Sequence, residues 1–110
     1  MTVFIDTNIF VAYSNTRDEK HKNAVEIMER IASLEFGLPV TSDYVFDEAV
    51  TVALARTGNK TIATVLGNQI LSSMRILKMN AFVFGKAWRL FKTVKEKMSY
   101  TDCTNIAFLD

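Results

Sequence analysis

The chain has one cysteine, one proline, one histidine and four glycines in 110 residues, and each shortage excludes something. A single thiol, Cys103, cannot form an intramolecular disulfide, so a reducing cytosol is the compartment expected. One histidine and one cysteine cannot build a Cys/His zinc site. His21 sits among Glu19, Lys20 and Lys22, which reads as a solvated helix start, so no serine or cysteine has a histidine base in its own context. No glycine-rich phosphate loop is present. No apolar run approaches the roughly 20 residues that span a bilayer. The opening Met1-Thr2-Val3-Phe4-Ile5-Asp6 lacks a basic n-region and meets an acid too early for a secretory signal. The net charge of +1 neither demands nor excludes a nucleic-acid partner.

What is present is a globular composition, 49% hydrophobic and 23% charged, on a length that makes one domain, residues 1–110. Scarce glycine and proline imply mostly regular structure. Residues 2–6 form an apolar run that fits a buried strand. Asp6-Thr7-Asn8 then caps a short helical turn, Ile9 to Tyr13. After a polar loop from Ser14 to Asp18, apolar residues recur at helical spacing from about Arg17 to Glu35, including Ala24, Ile27, Met28, Ile31 and Leu34. Leu38 to Thr41 reads as a second strand, and Ser42-Asp43 caps a helix with Phe46, Ala49, Val50, Ala53 and Leu54 on one face. Thr57-Gly58-Asn59 stops it. A helix from Lys60 to Ser72, a strand within Met74 to Met79, and a long helix from Asn80 to Met98 follow. The core face expected of that long helix is Phe84, Ala87, Trp88, Phe91, Val94 and Met98. A last helix starts at Ser99 to Asp102 and runs to Asp110. Strands separated by helices imply an α/β fold with a parallel sheet.

Three acids stand where apolar segments meet turns or helix starts: Asp6, Glu48 and Asp102. Carboxylates beside apolar surface are costly when charged, and three gathered together require a cation. For an all-oxygen site the natural choice is Mg²⁺ or Mn²⁺. Each acid also has an ordinary explanation. Asp6 can simply cap a helix, worth about 1 kcal/mol, and capping is compatible with a role in a site. Glu48 falls on a narrow polar arc with Asp47 and Thr51, and its local pattern favours a solvated side chain; Asp43 and Asp47 are neighbouring acids that helix geometry does not exclude. Asp102 suits a first helical turn, worth about 0.3–1 kcal/mol. That leaves its position on one face with Asn105, Ile106 and Leu109 unexplained. Lys86, Arg89, Lys92, Lys95 and Lys97 either approach a phosphate backbone or form the solvated side of their helix.

Taken together, Phe4-Ile5-Asp6-Thr7-Asn8, Glu48 in the third helix and Tyr100-Thr101-Asp102 opening a late helix resemble the PIN-domain family, and within it the VapC-type toxin ribonucleases. The motifs match in order and rough spacing from end to end of the chain. The resemblance implies a Rossmann-like three-layer fold, a short parallel sheet flanked by helices, and Mg²⁺- or Mn²⁺-dependent cleavage of RNA. It implies that Asp6, Glu48 and Asp102 hold the metal and are catalytic, that Asn8 orients the Asp6 region, and that Thr101 and Asn105 support the site. A cognate antitoxin protein and a homodimer are the partners it implies, with no membrane. Family members usually continue into a further strand bearing a fourth acid. The resemblance therefore implies that this C-terminal strand region is missing, with Asp110 no substitute and the first strand left as an edge.

The chemistry agrees with the residues, because a carboxylate-held metal activates water and needs no protein nucleophile. The alternative is a non-catalytic PIN-like module that binds RNA or protein. A phosphatase-like domain is disfavoured, since it would carry a second aspartate where Asn8 stands.

Overall fold

In a computed structural model of the chain, which describes residues 1–109, nine elements alternate in the order the sequence implies. They are β1 (Thr2–Phe4), α1 (Thr7–Ser14), α2 (His21–Ala32), β2 (Leu38–Ser42), α3 (Asp43–Thr57), α4 (Lys60–Ser73), β3 (Arg75–Leu77), α5 (Ala81–Thr93) and α6 (Tyr100–Leu109). The strands form one parallel sheet in the order β1-β2-β3. Phe4 lies opposite Val40 in one pair, and Thr41 lies opposite Ile76 in the other.

β2 is the central strand, and its Val40, Thr41 and Ser42 are buried. A proline in a central strand ordinarily removes a ladder bond. Here Leu38 donates toward β1, to the Met1 carbonyl at 3.0 Å, so the neighbouring Pro39 nitrogen faces the β3 side. Pairing on that side begins only at Val40. No bond is lost.

The main core lies between the sheet and helices α1 to α4, around Phe10, Ile31, Val45, Ala49, Leu66 and Ile70. Gly67 on α4 lets α3 approach closely: a Cβ there would stand 3.3 Å from Val50 Cγ1. A second, smaller core joins α5 to α6 through Val83, Ala87, Cys103 and Ala107. No helix among the described residues is long and apolar enough to cross a membrane.

Several helix expectations need correction. α2 begins at His21 rather than Arg17 and ends at Ala32 rather than Glu35. Leu34, expected in its core stripe, adopts a left-handed φ of 64° and is 54% exposed. The turn is held by Glu35, whose backbone N–H reaches the Arg30 carbonyl and whose carboxylate pairs with the Arg30 guanidinium at 2.8 Å. His21 is half-buried rather than solvated, because its Nδ1 lies 2.9 Å from the Ala12 carbonyl and ties α2 to α1.

α5 stops at Thr93, not Met98, since the chain must turn back for α6 to pack against α5. Val94 and Met98 still reach the second core from the connecting segment. The expected core face of α5 is also rotated. Val83 and Ala87 are buried, whereas Phe84, Trp88 and Phe91 are 50%, 49% and 39% exposed. At 100° per residue the buried face is turned by roughly 90° from the aromatic one. The physical reason is the close α5–α6 contact, which admits the small side chains of Ala87, Cys103 and Ala107 and leaves the rings outside. Asp110 lies outside the described residues.

Candidate active site

Asp6 follows Ile5 at the carboxyl end of β1, the edge of a parallel sheet where ligands bind in α/β folds. It does cap α1: extended backbone at ψ 166° turns its side chain to the helix start, and Oδ1 accepts from the Thr7 N–H at 2.6 Å. The same oxygen accepts from Asn105 Nδ2 at 3.0 Å. Capping and site-building therefore coexist on one oxygen, and Oδ2 stays available for a ligand.

Asp102 lies in the first turn of α6. Its Oδ2 accepts from the Ser99 N–H at 3.3 Å, and its own N–H donates to Ser99 Oγ at 3.0 Å. This reciprocal pair is a capping box, and it fixes the carboxylate against its helix end. One turn further on, Asn105 reaches Asp6. The bond thus joins the helix that carries Asp102 to the strand end that carries Asp6.

The inward face of α6 differs from the one expected. Ile106 and Leu109 are exposed, while Cys103, Thr104, Asn105 and Ala107 are buried. Burial pushes the Cys103 thiol pKa up, with the neighbouring Asp102 charge adding to it. Asn105, 8% exposed, is the member of that buried face that reaches Asp6.

Glu48 occupies the second turn of α3 and is half-buried, in contrast to the exposed Asp47 and Thr51 on its arc. It is therefore not the solvated glutamate its local pattern suggests. No hydrogen bond joins it to Asp6 or Asp102. Asp43 is accounted for structurally, since its two oxygens accept the Met79 N–H at 3.1 and 3.0 Å and so fasten α3 to the segment that follows β3.

The side chain that hydrogen-bonds Asp6 is Asn105. Asn8 is exposed and lines a polar cavity of about 270 Å³ with Asp18, Lys20 and Arg56. Thr101 is half-buried, and its carbonyl accepts the Thr104 hydroxyl at 2.6 Å.

Two buried oxygens beside Asp6 have no hydrogen-bond partner: Thr7 Oγ1 and Asn105 Oδ1. An orphaned buried polar atom costs about 1–3 kcal/mol, so each is a place for a water or a ligand. Because a carboxylate only accepts, the Asn105 nitrogen must face Asp6, and the amide oxygen is the atom left over. A carboxylate with two unpaired neutral oxygens is a donor set for a hard cation. No three acidic, histidine or cysteine side chains among the described residues stand close enough together to share an ion. The oxygens around Asp6 fit a cation.

The chain matches the PIN domain family over residues 3–108. It is also similar in structure to the Mycobacterium tuberculosis toxin VapC20, described as cleaving the sarcin-ricin loop. The TM-score is 0.84 at 22% identity, covering 99% of this chain and 81% of VapC20. No curated protein sequence gives a significant match.

Proposed function

Since the chain belongs to the PIN-domain family, we propose that it is a metal-dependent endoribonuclease of VapC type. Asp6 and Asp102 would hold Mg²⁺ or Mn²⁺, and Glu48 would complete the set. A cation bound there supplies an activated water and neutralises charge on the scissile phosphate. The protein's own part is to pre-position the acids. Asn105 holds Asp6, the capping box with Ser99 holds Asp102, and Glu48 stands in the second turn of α3, which begins directly after β2. The observation that carries the reading is the Asn105–Asp6 bond with its unpaired oxygens.

Cleavage of an RNA containing a sarcin-ricin loop is the assay to begin with, because that is the target named for VapC20. Mn²⁺-dependent cutting is expected, and it should vanish in Asp6→Asn and Asp102→Asn variants whose circular dichroism is unchanged. Full activity in both variants would remove the mechanism. By the same analogy the working context is the cytoplasm, a cognate antitoxin is the regulator and a homodimer is the assembled form. Co-expression with the neighbouring gene and sedimentation equilibrium test the two partners.

A second reading is favoured by the separation of the acids. With no three of them clustered among the described residues, the chain would serve as a non-catalytic RNA- or protein-binding module. Calorimetric titration with Mn²⁺ decides between the two. Absence of binding at millimolar metal selects the module.

A further inference from the structure

The aromatic face of α5 is unused by the site as described. Trp88 and Phe91 stack with ring centroids 5.7 Å apart and planes 15° apart. Both rings are substantially exposed, at 49% and 39%. Tyr100 meets them edge-on at 6.4 and 6.1 Å and is pinned by its hydroxyl, which donates to the Phe84 carbonyl at 2.9 Å. The rings are thus held in place before any partner arrives, which removes much of the entropy cost of ordering them on binding. Tyr100 opens α6, the helix whose first turn also carries Asp102.

The surrounding charge selects the partner. Lys92 Nζ lies 6.0 Å from the Trp88 ring centre. Between residues 81 and 98 the chain carries five cations, Lys86, Arg89, Lys92, Lys95 and Lys97, against one anion, Glu96. A second copy docked through this face across a twofold axis would bring the same cations against one another. A partner that offers flat apolar rings and a polyanionic backbone satisfies both features. Single-stranded nucleic acid is that partner, its bases stacking on aromatic side chains while lysines neutralise its phosphates.

We infer that Trp88 and Phe91, with Lys92 over the Trp88 ring, form a base-stacking platform that holds unpaired RNA along α5, the helix packed against the one that carries Asp102 among the candidate carboxylates. The inference rests on the reading of those carboxylates as an RNA-cleaving centre, and the following experiment separates the two. Trp88 is the only tryptophan, so its fluorescence reports directly on the platform. With metal chelated, the full chain is titrated with an eight-nucleotide oligoadenylate and with an abasic oligomer of equal length. Quenching by the oligoadenylate is expected, with affinity at least about tenfold weaker for the abasic chain.

Affinity measured by anisotropy of labelled oligoadenylate should fall by at least about tenfold in Trp88→Ala and recover in Trp88→Phe, which restores a ring. Lys92→Ala should weaken both oligomers alike and reduce the salt dependence. Asp6→Asn should bind normally, so loss of cleavage with retained quenching leaves the platform standing whatever becomes of the nuclease reading. Equal affinity for the two oligomers, or unchanged affinity in Trp88→Ala, overturns the platform. So does a Trp88 that becomes shielded from acrylamide as protein concentration rises, since a second copy then covers the face.

Discussion

Asn105 donates from Nδ2 to Asp6 Oδ1 at 3.0 Å across 99 positions of sequence, while its own Oδ1 is buried without a partner. This one bond closes the chain on itself at the site, joining the end of β1 to the inner face of α6. Here one end holds a carboxylate, and the other can accept from a water or meet a cation.

Asn105→Asp tests that arrangement. The change replaces a charge-assisted donor, worth about 1.5–3 kcal/mol, with a second carboxylate beside Asp6. Without metal the variant should melt at least about 6 °C below the parent, using the usual scaling of 4–8 °C per kcal/mol for a small domain. Millimolar Mn²⁺ should restore most of the loss, because the cation now sits between two anions. Differential scanning calorimetry with Mn²⁺ and with chelator gives the answer. A deficit that metal leaves untouched would mean that Asn105 serves packing alone.

The sequence made the α/β order readable because hydrophobic periodicity reports which segments are helices and which are strands. It could not report how far each helix is rotated. In α5 the aromatic residues and the buried residues both recur at helical spacing, and the phase is set by how closely α6 approaches. That distance depends on Ala87, Cys103 and Ala107 meeting one another, a property of the assembled pair. The site divides in the same way. Asp6 and Asp102 were legible as acids at helix starts, because capping is local. The role of Asn105 was not, since nothing near residue 105 indicates that its partner is residue 6. Its inward position three residues after Asp102 was the available signal.

Ala87→Leu should expose how tightly α5 and α6 are matched. Ala87 is fully buried in the second core, and added volume there has no cavity to enter. Overpacking of this kind costs about 1–3 kcal/mol. Urea denaturation should show a lower midpoint of that size with an unchanged slope. Because α6 carries Asp102 and Asn105, metal affinity should fall as well. A variant with parental stability would mean that the interface is loosely packed.

Gly37 and Gly58 both adopt positive φ, at 101° and 63°, but they should respond differently to alanine. A Cβ on Gly37 would stand 2.7 Å from the Met1 carbonyl oxygen, the acceptor of the Leu38 N–H that begins the β1–β2 ladder. Gly58→Ala meets nothing within 4 Å and carries only the left-handed penalty of about 1–2 kcal/mol. Gly37→Ala should therefore be the more destabilising of the two in the same urea titration. The reverse order would contradict the close approach of the first strand to the turn.

Cys103 supplies a pH dependence whose sign follows from burial. The thiol is fully enclosed between α5 and α6, and desolvation raises its pKa, with the Asp102 charge acting in the same direction. In the unfolded chain the thiol ionises from about pH 8.5, while the folded chain still holds its proton. Above that pH the unfolded state binds fewer protons than the native state, so stability falls as pH rises, by at most about 1.4 kcal/mol per unit for one proton. The contribution is intact below the unfolded value and is lost progressively toward the folded one. Urea midpoints measured from pH 7 to 10 should decline accordingly, and the decline should be shallower in Cys103→Ala, whatever that variant's absolute stability. A disulfide exchange reagent should label the native protein at pH 8 only as fast as the chain opens, with rates that rise with urea. Rapid labelling in the absence of denaturant would place the thiol at the surface and remove the second core as drawn.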